Sequence, residues 1–95
     1  MAKKVEFRFN LEKSDKLRAE RGIGFEEIIP MLDENHILAV EAHPNQQKYP
    51  NQKIYVVRVQ EYAYLVPFVR DKDFIFLKTI IPSRKATARY LGKGG

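Results

Sequence analysis

The sequence contains no cysteine, no tryptophan and only two histidines, and its longest apolar runs are short. Without thiols, disulfides and thiolate metal sites are excluded, and the chain suits a reducing compartment. A membrane-spanning helix needs about 20 apolar residues, and no stretch approaches that. The opening MAKKVEFRFN has no apolar segment of signal-peptide length. The expectation is a cytoplasmic protein with no membrane contact. Glycine and proline are sparse at five each, while 44% of the 95 residues are hydrophobic, which is the composition of a folded domain. This length leaves no room for a multi-domain enzyme or a repeat array. It buries about 65% of the unfolded surface without staples. Residues 1–92 read as a single domain and 93–95 as a flexible tail.

What is present is positive charge: 17 basic against 12 acidic residues give a net +5. Residues 1–30 carry 7 basic and 6 acidic groups, 31–52 carry 1 and 3, and 53–95 carry 9 and 3, so the excess lies in the C-terminal part. No acidic residue occurs from Lys78 onward. Clustered cations of this kind attract phosphate, the alternative being a solvated basic face with no ligand.

Apolar periodicity outlines the elements. Val5, Phe7 and Phe9 alternate with Glu6 and Arg8, predicting an opening strand. Asn10 caps a helix over Leu11 to Arg21 that Gly22 stops. A second helix over Phe25 to Glu34 starts after Gly24, with Ile23 and Ile28 as a hydrophobic staple, and bends at Pro30. His36 to Ala42, Ile54 to Val59, Tyr62 to Val69 and Phe74 to Ile81 read as strands, separated by a loop over His43 to Asn51 and by two short turns. Ser83 caps a last helix that ends at Leu91 before Gly92. The predicted fold class is α+β: an N-terminal strand and two helices packed on an antiparallel four-stranded meander, with a short C-terminal helix, the helices on one face of the sheet.

A two-residue turn at Gln60 and Glu61 pairs Val59 with Tyr62, Val57 with Tyr64, Tyr55 with Val66 and Lys53 with Phe68 on one face. Arg58, Val56, Ile54, Ala63 and Leu65 take the other. A four-residue loop from Arg70 to Asp73 pairs Val69 with Phe74 and Leu65 with Lys78, so Lys78 shares the face of Arg58. Pro67 cannot donate within a sheet and marks a bulge, and a one-residue slip there turns over every later side chain. Neither histidine, His36 or His43, has metal-ligand spacing, and no serine elbow or nucleotide fingerprint occurs; no metal and no cofactor are expected. There remain the cations Lys78, Arg84, Lys85, Arg89 and Lys93. Arg84 and Lys85 enter the last helix at its N-terminal turn, where the dipole disfavours them, a placement that a nearby phosphate explains. Tyr49, Tyr55, Tyr62, Tyr64 and Tyr90 interleave with the cations, either packing the sheet or stacking unpaired bases.

Phe9-Asn10-Leu11-Glu12-Lys13, then Glu20-Arg21-Gly22-Ile23-Gly24-Phe25-Glu26-Glu27, resembles the opening of BrnT-family toxins. Thr79-Ile80-Ile81-Pro82-Ser83-Arg84-Lys85-Ala86-Thr87 resembles that family's last signature, so the two bracket nearly the whole domain. The chain departs from the pattern at Glu20-Arg21, where the family has a basic residue and histidine, at Gly24, which replaces a hydroxyl cap, and at Pro82. The resemblance implies a RelE-like fold and a ribonuclease that halts translation. It also implies neutralisation by a cognate ribbon-helix-helix antitoxin, with operator DNA bound only through that partner. It supports Arg84 and Lys85 as functional cations. On this reading mRNA, on or off the ribosome, is cut without metal by 2′-hydroxyl attack on the adjacent phosphate. Arg84 and Arg58 stabilise the charge, with His43, Lys53 or Lys78 handling the proton. Lys85, Arg89, Tyr90 and Tyr49 hold RNA. The alternative is a non-catalytic basic module that binds an acidic protein partner or RNA.

Overall fold

A computed structural model of the chain describes residues 5–92; the tail at 93–95 lies outside the described residues. The elements follow one another as β1 (Glu6–Arg8), α1 (Leu11–Arg21), α2 (Phe25–Ile28), a 3-10 turn (Ile29–Met31), β2 (Ile37–Ala42), β3 (Gln52–Val59), β4 (Tyr62–Arg70), β5 (Phe74–Leu77), β6 (Ile81–Pro82) and α3 (Arg84–Leu91). The class is α+β. The second helix is shorter than its periodicity predicts: regular helix stops at Ile28 and the tighter turn holding Pro30 follows, because proline removes an interior donor. Asp33 then accepts from the Asn35 and His36 N–H groups and from the His36 ring, turning the chain into β2.

The four-stranded antiparallel meander is present as β2 to β5, and the sheet extends beyond it. It has six strands in the order β1-β5-β4-β3-β2, with β6 also paired to β4. It is mixed, since β1 runs parallel to β5 through Phe7 opposite Ile75. That pairing buries the β5 edge while pointing Phe7 and Phe9 into the helix-side core. The β3–β4 register runs Lys53–Phe68, Tyr55–Val66, Val57–Tyr64 and Val59–Tyr62. The Gln60–Glu61 turn closes it with Gln60 at φ 59°, the left-handed conformation that two-residue hairpins demand. Val69 faces Phe76 rather than Phe74; an offset of two residues preserves the faces. After Leu77 the ladder slips by one, so that Leu65 faces Ile81. The missing Pro67 donor falls at this handover, where the Lys78 N–H still bonds the Pro67 carbonyl at 2.8 Å. The slip turns Ile80 into the same core as Leu77.

Helices cover both faces, not one. On the first, Val57, Val66, Phe68, Ile75 and Leu77 meet Leu17, Ile23, Phe25 and Ile28 of the α1–α2 layer. On the second, Val56 and Ala63 meet Ala86, with Leu38, Leu65, Tyr90 and Leu91 around them. Two backbone anchors hold α3 there: the Ser83 N–H donates to the Ala63 carbonyl at 3.0 Å, and the Ala63 N–H donates to Thr87 Oγ1 at 2.9 Å. The small side chains of Ala63 and Ala86, both buried, let the helix backbone approach this closely.

The hydroxyl that the α2 cap lacks comes from α1. Ser14 is fully buried; its Oγ accepts from the Phe25 N–H at 2.9 Å and its hydroxyl donates to Glu26. Glu27 takes the Gly24 N–H at 2.7 Å, and Arg18 bridges both carboxylates, at 2.6 Å to Glu26 and 3.0 Å to Glu27. These bonds hold Glu26 below the ordinary carboxylate pKa, first through Ser14, and Glu27 likewise, first through Arg18. A Cβ at Gly24 would sit 2.7 Å from Ser14 Oγ and 2.6 Å from Arg18 Nη2, so cap hydroxyl and Ser14 exclude each other. Ser14→Ala leaves the Phe25 N–H unsatisfied in a dry site and is expected to cost about 1–3 kcal/mol, read as a lowered urea midpoint at unchanged slope.

Candidate nucleic-acid interface

The second face carries Arg58 and the cations of α3. Ser83 Oγ takes the Ala86 N–H at 3.0 Å, so Arg84 and Lys85 occupy the first turn of a helix that is already capped, and both side chains are exposed. Arg58 lies directly across from Ala63, the residue that anchors both Ser83 and Thr87. The backbones of Arg58 and of Ser83, which caps α3, thus adjoin Ala63 from opposite sides and form one corner next to the β3–β4 hairpin. Arg89 follows Lys85 by one helical turn, its guanidinium 5.8 Å from the Tyr90 ring centre. Like charges at that spacing repel, and no acidic residue stands in the first turn of α3 to offset them. None of Arg58, Arg84, Lys85 and Arg89 forms an ion pair among the described residues.

Other candidates lie elsewhere. Lys78 shares the face but is opposite Pro67, four residues along β4 from Ala63 and one strand further over. That places it roughly 16 Å from Arg58, backbone to backbone. Its ammonium sits 5.7 Å from the centre of the Phe76 ring, and Phe76 pairs across the sheet with Arg8, whose guanidinium lies 4.2 Å from the Phe74 ring centre. Lys53 is on the opposite face, paired with Phe68. The His43 N–H bonds the Gln52 carbonyl at 3.2 Å, and Gln52 is six residues, about 20 Å of strand, from Arg58. The His43 Nδ1 accepts from the Asn45 N–H at 3.0 Å and its ring packs 4.5 Å from that of Tyr49, whose other neighbour is Lys48. The expectation that His43 or Lys53 serves the two arginines is thereby corrected: strand length separates the histidine and strand alternation the lysine.

Tyr90 is likewise not a free stacking ring. Its hydroxyl donates to Glu41 of β2, which with partial burial raises its pKa. Its ring packs against the Val56–Ala63–Ala86 cluster, so it pins the end of α3 across the sheet. The corner thus offers two guanidinium groups and one ammonium for phosphate oxygens, with a fourth cation one turn on. No group of three or more metal-ligating side chains occurs among the described residues, and no helix of theirs is long and apolar enough to cross a membrane. The sequence pattern puts Arg70 in the loop after Val69; the structure extends β4 through Arg70 and so places it with Lys53 and Tyr55.

No family model matches the chain, and no solved structure does. A curated relative, described as a probable transposase for insertion sequence element IS701 from Microchaete diplosiphon, is 27% identical over 84 residues. The match takes in 88% of this chain and 22% of that protein, so the chain spans about a fifth of its relative's length.

Proposed function

We propose that the chain grips RNA at the corner where α3 meets the β3–β4 hairpin, and acts as the RelE-like toxin of a toxin–antitoxin pair, a metal-independent ribonuclease. The observation that carries this reading is that Ala63 is flanked by Arg58 on β3 and, on its other side, by Ser83, the residue before Arg84. The order of a strand, two helices, a β meander and a terminal helix is compatible with it. A 2′-hydroxyl attacks the adjacent phosphorus, the 5′-oxygen leaves, and a 2′,3′-cyclic phosphate remains. Arg58 and Arg84 hold the phosphorane oxygens, where charge develops, and Lys85 and Arg89 hold flanking phosphates. With His43, Lys53 and Lys78 all remote from the corner, protons pass to and from water. Electrostatic stabilisation therefore supplies most of the acceleration. Neutralisation falls to a ribbon-helix-helix antitoxin that covers the basic face and carries the pair to operator DNA.

The transposase match favours a second reading, in which this is a nucleic-acid-holding piece of a longer insertion-element protein. The third, a non-catalytic module for an acidic protein, uses the same cations. Incubating the purified chain with mRNA, with and without ribosomes and with EDTA, separates them. Scission that survives chelation supports the toxin. Salt-sensitive retention of duplex DNA with intact transcripts supports the transposase piece, and retention of neither supports the protein-binding module.

A further inference from the structure

The first face of the sheet, beyond the reach of α1 and α2, holds a cavity of about 180 Å³ lined by Val40, Asn51, Lys53, Tyr55, Phe68 and Arg70. Its floor is aromatic. Tyr55 and Phe68 stack with ring centres 4.0 Å apart and planes 16° from parallel. Phe68 is buried, while Tyr55 is half-buried and opens to the cavity. Its walls are cationic. Lys53 pairs with Phe68, and Arg70 is two residues beyond Phe68 on the same face, so the two residues are diagonal neighbours, about 7–8 Å apart at the backbone. Both cations line the same cavity, and neither forms an ion pair among the described residues. No carboxylate lines the cavity. Asp71, next in sequence to Arg70, is turned to the Lys72 N–H at 2.6 Å. Burial raises the Tyr55 pKa against the opposing charge of Arg70, so its hydroxyl remains a donor at neutral pH.

A stacked ring, two unpaired cations and one side-chain amide are the elements that a planar base with a phosphate calls for. The volume falls below the roughly 300 Å³ at which sites that enclose a drug-sized ligand begin, so it has room for a base, with sugar and phosphate at the rim where Lys53 and Arg70 are exposed. We propose that this cavity binds a single nucleotide, with the base against Tyr55, the phosphate between Lys53 and Arg70, and the Asn51 amide at the base edge. The site stands apart from the α3 corner, which the sheet separates from it, and does not depend on the toxin reading.

Titration of the isotope-labelled full chain with AMP, adenosine and inorganic phosphate tests it by NMR. AMP is expected to saturate, with shifts confined to the backbone around Asn51, Lys53, Tyr55 and Arg70. Adenosine and phosphate should each bind at least about tenfold more weakly, the scale of one lost stack or charged contact. Lys53→Ala and Arg70→Ala, both exposed and outside either core, should each weaken AMP by about tenfold, and Tyr55→Leu should weaken AMP but not phosphate. Lys72→Ala, a nearby cation off the cavity, should change nothing. Phosphate binding as tightly as AMP, shifts centred on α3, or the absence of saturation would overturn the proposal. A 5′-phosphorylated oligoadenylate that gives the same shifts at lower concentration than AMP assigns the site to a strand end. Weaker binding assigns it to the free nucleotide. Failure to cut mRNA leaves this titration unaffected, so the two readings fail separately.

Discussion

Phe25→Ala is expected to cost about 3–5 kcal/mol, the scale of an aromatic side chain removed from a close-packed core. For 95 residues a typical stability is about 5–14 kcal/mol, so the variant sits near the edge of folding. Phe25 has no exposed surface, its ring centre is 5.1 Å from that of Phe9, and it joins the α1–α2 layer to Val57, Val66 and Leu77 of the sheet. Phe25→Leu, which keeps most of the volume, should lose less than about 1.5 kcal/mol. Urea unfolding at constant slope measures both. A loss under about 1 kcal/mol for the alanine variant would mean that this cluster is not the main core.

The second large effect concerns function. Arg84→Ala should slow mRNA cleavage by about 10²- to 10³-fold, the scale for removing one donor to a developing oxyanion. Its stability should be unchanged or slightly raised. Arg84 is exposed at the first position of α3, where its charge opposes the helix dipole, and the helix is held by Ser83 and Thr87 rather than by Arg84. A structural residue would not lower activity while sparing the fold. If Arg58, Arg84, Lys85 and Arg89 all contact phosphates, binding to a single strand should fall with salt at a log–log slope of about −3, and Arg84→Ala should lessen that slope by about 0.7. Arrest of translation by the variant at the parent rate would remove Arg84 from the scissile phosphate and favour the binding readings.

The cations illustrate how far local pattern reaches. Alternation along β3 and β4 was enough to place Arg58 and Lys53 on opposite faces, because side chains in a strand alternate whatever surrounds it. The same alternation put Lys78 on the face of Arg58, and an offset of two residues in the β4–β5 pairing did not disturb this. What it could not supply was distance along the strand, which removes Lys78 and His43 from the corner. Nor did it give the side to which α3 folds. That side depends on the register slip after Leu77 and on Ala63 being small enough to accept Ser83 and Thr87.

Strand periodicity, the Asn10 and Ser83 caps, the Gly22 and Gly92 stops and the β3–β4 register are properties of neighbouring residues, and the sequence by itself determined them. The parallel pairing of β1 with β5, the supply of the α2 cap by Ser14, the placement of helices on both faces and the cavity between Lys53 and Arg70 were decided only by tertiary structure. Each of these joins segments separated in sequence. The entropy of closing the intervening loops is offset only when the whole core forms at once, so no local window carries that information.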